Sequence, residues 1–73
     1  MTFARFLRIW RELNAISISD ISKELNLPYN KVRNFDINPS NEIIYNWYLS
    51  HGLNMEEYNN VKEKYEQKFK TKN

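Results

Sequence analysis

The chain is 73 residues long and carries no Cys, a single His and a formal net charge of +2. That length allows one domain, residues 1–73, whose small core removes only roughly 60% of the unfolded surface from water. The lack of Cys excludes a disulfide frame and a thiolate metal site, and His51 alone cannot build a zinc centre or a catalytic triad, which suits a reducing, cytoplasmic setting.

The stretch MTFARFLRIWRELN mixes three Arg into its apolar residues, so it reads as neither a signal peptide nor a membrane span, and no membrane partner is expected. Instead Thr2 is placed to cap a helix whose Phe3, Phe6, Leu7, Trp10 and Leu13 share one face, with Arg5, Arg8 and Glu12 towards the other. Ser17 is placed to cap a second helix with Ile21 and Leu25 inward. Only Asn26 and Leu27 separate it from a third, opened by Pro28, whose missing N–H costs little in a first turn.

Asn38, Pro39 and Ser40 form the next turn, with Ser40 as the cap of a fourth helix and Glu42 in its first turn. Ile44, Trp47, Tyr48 and His51 share a face of that helix until Gly52 stops it as a C′ residue. Asn54 caps a fifth helix over about 55–69, Glu57 stands where a capping-box acid reaches back, and Leu53 is placed to staple against Tyr58. The stripe of this last helix is Tyr58, Val61, Tyr65 and Phe69. With a single Gly and two Pro, the chain reads as helices joined by short turns, an all-α domain with its core over about 3–58.

Charge is unevenly spread along these elements. Residues 1–36 carry six basic and four acidic groups, residues 37–61 none and three, and residues 62–73 five and two. An anionic partner would therefore meet the first half of the chain or its C-terminal tail. In the third helix, if Val32 and Phe35 face inward, a 100° step per residue turns Asn30, Arg33, Asn34 and Ile37 farthest outward, with Tyr29 and Lys31 on the flanks. Such a face suits base edges, because Asn pairs bidentately with adenine and Arg with guanine.

Two short helices joined by a tight turn, with Ile21, Leu25, Leu27, Val32 and Phe35 inward, have helix-turn-helix spacing. From about Leu7 to Tyr58, Arg11, the ISKELNL run, Val32, Phe35, Asp36, PSNEI and GLNMEEY resemble the pattern of the Cro/C1-type (XRE-like) repressor family. The resemblance implies a compact five-helix lambda-repressor-like domain that binds double-stranded DNA and regulates transcription. It places base contacts on Tyr29, Asn30 and Asn34, to which the helical geometry adds Arg33. It places phosphate contacts on Ser17, Lys23 and Lys31, beside free N–H groups at the head of helix two. Arg11 and Asp36 occupy positions where the family often forms a structural ion pair. The chain departs from the pattern at Ile18, where the family often has Gln, and at Pro28, where Ser or Thr is usual. Eleven Asn, with many Ile, Lys, Tyr and Phe, match the usage of an AT-rich coding sequence and point to a low-GC bacterium or its phage.

Tyr45 and Leu49 form an outward apolar pair on helix four, which lacks basic residues; the last helix, whose stripe of Met55, Tyr58, Val61, Tyr65 and Phe69 also needs a partner, either covers that pair as part of the core or offers a second apolar surface around Tyr65 and Phe69. Either surface would serve a homodimer or a regulatory protein partner. Two functions follow from these faces: a sequence-specific DNA-binding regulator, or an antirepressor-like antagonist that reuses the scaffold to bind a protein. No arrangement suggests an enzyme, a cofactor, a metal or a small-molecule ligand; there is no Gly-rich phosphate loop, and His51 reads as a core-edge residue rather than a base.

Overall fold

The structure, a computed structural model, describes the backbone of residues 2–70 and the side chains of residues 2–64. It is all-α, with helices α1 (Phe3–Leu13), α2 (Ile18–Leu25), α3 (Tyr29–Phe35), α4 (Glu42–Ser50) and α5 (Met55–Lys70). Thr2 caps α1 by accepting from the Arg5 N–H. Ser17 caps α2 in a reciprocal capping box with Asp20. Asn54 caps α5 through the N–H groups of Glu56 and Glu57. The cap of α4 is Asn41, which accepts from Ile44, and not Ser40. Pro28 stands at the N-cap of α3 rather than inside its first turn.

Three helices end in the same way. After α1, α2 and α4 a residue of positive φ follows, Ala15 at 55°, Asn26 at 54° and Gly52 at 102°. In each case the next N–H reaches back across the last turn: Ile16 to the Arg11 carbonyl, Leu27 to Ser22 and Leu53 to Tyr48. This is the Schellman pattern, in which a left-handed residue frees the chain to turn and an apolar residue after it packs back onto the helix. Ile16 and Leu27 are half-buried against the core and Leu53 is buried in it.

The core is formed by Phe6, Leu7, Ile21, Val32, Phe35, Ile44, Trp47, Tyr48 and Leu53, so every helix from α1 to α4 contributes. Phe3, Trp10, Met55 and Tyr58 pack on its margin. Tyr58 closes it from α5 by meeting Phe3 and Phe6 edge-on, with ring centroids 5.2 and 5.1 Å apart. Phe35 stacks on Tyr48 at 5.7 Å, which seats α3 directly on α4. Leu13, in contrast to its expected inward place, is 82% exposed. It lies about 90° from the centre of the buried stripe and in the final turn, where no neighbouring helix covers it.

Candidate nucleic-acid interface

α3 is a seven-residue helix with Val32 and Phe35 buried. Tyr29, Asn30, Lys31, Arg33 and Asn34 are all exposed, Tyr29 at 50%. The outward set read from the 100° step therefore agrees with the structure, and it includes Ile37, 77% exposed just past the helix end. A tight turn joins this helix to α2, closed by the left-handed Asn26 and by the Ser22 hydroxyl donating to the Leu27 carbonyl.

What fixes the angle of α3 is a polar knot inside the core. Arg11 of α1 donates from Nη1 to Asp36 Oδ1 and from Nη2 to Asp36 Oδ2, both at 2.8 Å, and Nη1 also donates to the Tyr48 hydroxyl at 2.9 Å. One guanidinium thus joins α1, the end of α3 and α4. Burial works against the Arg11 charge, but the hydrogen bonds to Asp36 and Tyr48 outweigh it and hold the guanidinium above its ordinary pKa. Burial also pushes the Tyr48 phenol up, against the pull of Arg11.

The head of α2 is less open to an anion than the sequence implied. Ser17 N–H donates to Asp20 Oδ2 at 2.9 Å and Asp20 N–H donates to Ser17 Oγ at 3.0 Å, so a carboxylate already occupies the positive end of this helix. The Ser17 N–H that donates to it holds the Asp20 pKa below the usual aspartate range. Ser17 retains only its O–H for a phosphate, while Lys23 and Lys31 are exposed and unencumbered by any salt bridge among the described residues.

Arg33 does not point the same way as Asn34. Together with Asp36 and Ile37 it lines an open groove of about 710 Å³ whose other wall is α1, through Arg5, Arg8, Ile9, Arg11 and Glu12, with Ile18 of α2 at one end. Arg5 and Arg8 therefore face the same groove as Arg33, which helical periodicity on α1 alone does not reveal, since it shows only that they face outward.

The pair expected to turn away from the core on α4 divides. Leu49 is exposed, but Tyr45 is half-buried, its ring 6.4 Å from Phe35, in an apolar hollow shared with Phe3, Pro39, Met55 and Tyr58. Tyr65 and Phe69 lie outside the residues whose side chains are described. His51 sits at the core edge. Its ring stacks on Trp47 with centroids 3.9 Å apart, Nδ1 lies 2.8 Å from the Trp47 carbonyl, and Nε2 lies 3.8 Å from Glu24 Oε1. Trp47 Nε1 donates to the other Glu24 oxygen at 3.0 Å, tying α4 to α2.

Among the described residues no three His, Cys, Asp or Glu side chains converge as metal ligands, and no helix is long and apolar enough to cross a membrane. Compared with protein-family models, curated proteins and solved structures, the chain matches none of them.

Proposed function

We propose that the chain is a sequence-specific DNA-binding regulator of the Cro/C1 type, from a bacterium or phage, that enters the major groove with α3. One observation carries this reading: α3 buries Val32 and Phe35 completely, exposes Tyr29, Asn30, Lys31 and Asn34 together, and has its angle set by the Arg11 and Asp36 pair. In this role Asn30 and Asn34 read adenine edges, Tyr29 touches a thymine methyl or a sugar, and Arg33 reaches guanine from the flank. Lys23 and Lys31 take phosphates, which position the protein without reading sequence. Ser17 assists only through its hydroxyl.

A net charge of +2 gives one copy little phosphate attraction. The reading therefore includes a homodimer, joined around Tyr45 and Leu49 or around Tyr65 and Phe69, that presents two recognition helices to successive major grooves about 34 Å apart. Selection of bound duplexes from a random pool tests the DNA reading: recovery of an inverted repeat supports it, and an unenriched pool together with no gel shift at low salt overturns it. Equilibrium sedimentation with and without duplex tests the dimer, which a monomer in both conditions rules out.

The second reading, an antirepressor-like protein antagonist, is favoured by a different observation. Ile37 and Leu49 are exposed apolar residues of the kind a protein partner covers. Under that reading the random pool stays unenriched and a repressor-type protein binds instead.

A further inference from the structure

We infer that the groove between α1 and the end of α3 is a docking site for an acidic, amphipathic peptide segment of another protein, independent of whether α3 reads DNA. The groove is lined by four arginines, Arg5, Arg8, Arg11 and Arg33, against two carboxylates, Glu12 and Asp36. Arg11 and Asp36 neutralise each other at 2.8 Å. Glu12 approaches Arg8 only to 3.9 Å, with both side chains in water, so it screens that charge weakly. Arg5 and Arg33 have no salt-bridge partner among the described residues. The positive excess of this one groove thus equals that of the entire chain.

Charge alone would suit a phosphate backbone equally well. The apolar lining favours the peptide: exposed Ile9 and Ile37 line the same groove with half-buried Ile18, and a charged sugar–phosphate backbone covers such a surface less well than aliphatic side chains do. A helix or strand with carboxylates flanking a row of Leu or Ile satisfies both features, the apolar row resting on the three Ile and the acids meeting arginines at the rim. Arginine suits this role because its planar fork takes carboxylates bidentately.

The test is fluorescence anisotropy with labelled synthetic peptides on the whole chain. The probes are a sixteen-residue peptide of Glu and Leu in amphipathic order, its Lys and Leu counterpart, and an all-Glu peptide, with a duplex DNA measured in parallel. The Glu and Leu peptide is expected to bind, with affinity falling as salt rises, and the other two at least about tenfold more weakly. Arg5→Glu and Arg8→Glu, on exposed side chains that leave the core untouched, should each weaken it by about tenfold, and Ile37→Ser by several-fold. Circular dichroism confirms that each variant is folded. Peptide affinity unchanged by all three substitutions overturns the inference, as does failure of the Glu and Leu peptide to bind. If Arg5→Glu and Arg8→Glu weaken only the duplex, the groove is a DNA contact and the inference is wrong. Peptide binding by a chain that ignores DNA leaves it standing while removing the DNA reading.

Discussion

Arg11 grips Asp36 with both arms of its guanidinium across 25 residues of sequence, with side chains only 8% and 13% exposed. Removing one partner leaves the other charge desolvated without its counter-ion. Arg11→Ala and Asp36→Ala are each expected to cost about 3 kcal/mol. The double variant should cost less than the sum, with a coupling of about 1–3 kcal/mol. Urea unfolding of the four proteins gives the cycle, and additive losses would contradict it.

Trp47 fills the space between α1, α2 and α4, meeting Trp10 and Tyr48 edge-on and bonding Glu24. Trp47→Ala should cost about 3–5 kcal/mol, more than a chain of this size is expected to survive at moderate temperature. Trp47→Phe keeps a ring in place and loses chiefly the bond to Glu24, about 1 kcal/mol. Thermal melts separate the two: only the Phe variant should retain a cooperative transition.

Ala15 holds a left-handed conformation that a Cβ disfavours, at the same Schellman position that Gly52 fills after α4. Ala15→Gly relieves the strain of about 1–2 kcal/mol, offset by about 0.4–1 kcal/mol of added chain entropy in the unfolded state. The variant should melt slightly higher than the parent. A lower melting temperature would show that Ala15 makes a contact worth more than its strain.

Tyr48 and Asp20 each tie stability to pH, at opposite ends of the range. The Tyr48 phenol has its pKa raised by burial, so the folded state holds that proton more tightly than the unfolded chain does. Its contribution is complete below the ordinary tyrosine value of 10.0 and is lost as pH rises through the raised one. Asp20 is the reverse: its pKa is lowered by the Ser17 N–H, so its contribution is present above the ordinary 3.8 and is lost as pH falls through the lower value. Denaturation against pH should therefore show Tyr48→Phe flattening the alkaline limb and Asp20→Ala flattening the acid limb.

If α3 reads bases, Asn34→Ala should relax sequence preference at one position by about 1–3 kcal/mol. Lys31→Ala should instead weaken all duplexes alike and reduce the slope against salt by about one counter-ion. Binding isotherms on cognate and mismatched duplexes at several salt concentrations distinguish them. Identical behaviour of the two variants would mean that the helix touches only the backbone.

The sequence displayed most of the core because helical spacing gives the direction of a side chain. Ile21, Val32, Phe35, Ile44 and Tyr48 were inward by that rule and are buried. Direction says nothing about height along the axis or about what lies opposite. Leu13 shares a face with Phe6 yet projects past its neighbours, and Tyr45 is drawn inward because Phe35, Pro39 and Met55 happen to surround it. Ser40 and Asn41 are adjacent residues of equal capping competence, and only the position of the Ile44 N–H chooses between them. The groove along α1 and α3 joins residues 28 apart, such as Arg5 and Arg33, and no local pattern brings those together. Arg11 was legible only through the family resemblance, since hydropathy places a charged residue outside.

The stack of His51 on Trp47 has an optical consequence. The indole of Trp47 is held face to face with the His51 ring at 3.9 Å and edge-on to Tyr48 at 5.3 Å, so its emission is sensitive to the packing of α4. Trp10 meets Trp47 with centroids 6.4 Å apart, close enough to pass its excitation across. Unfolding separates these rings and carries both indoles into water, so the emission of the two tryptophans follows the loss of this packing without any attached label.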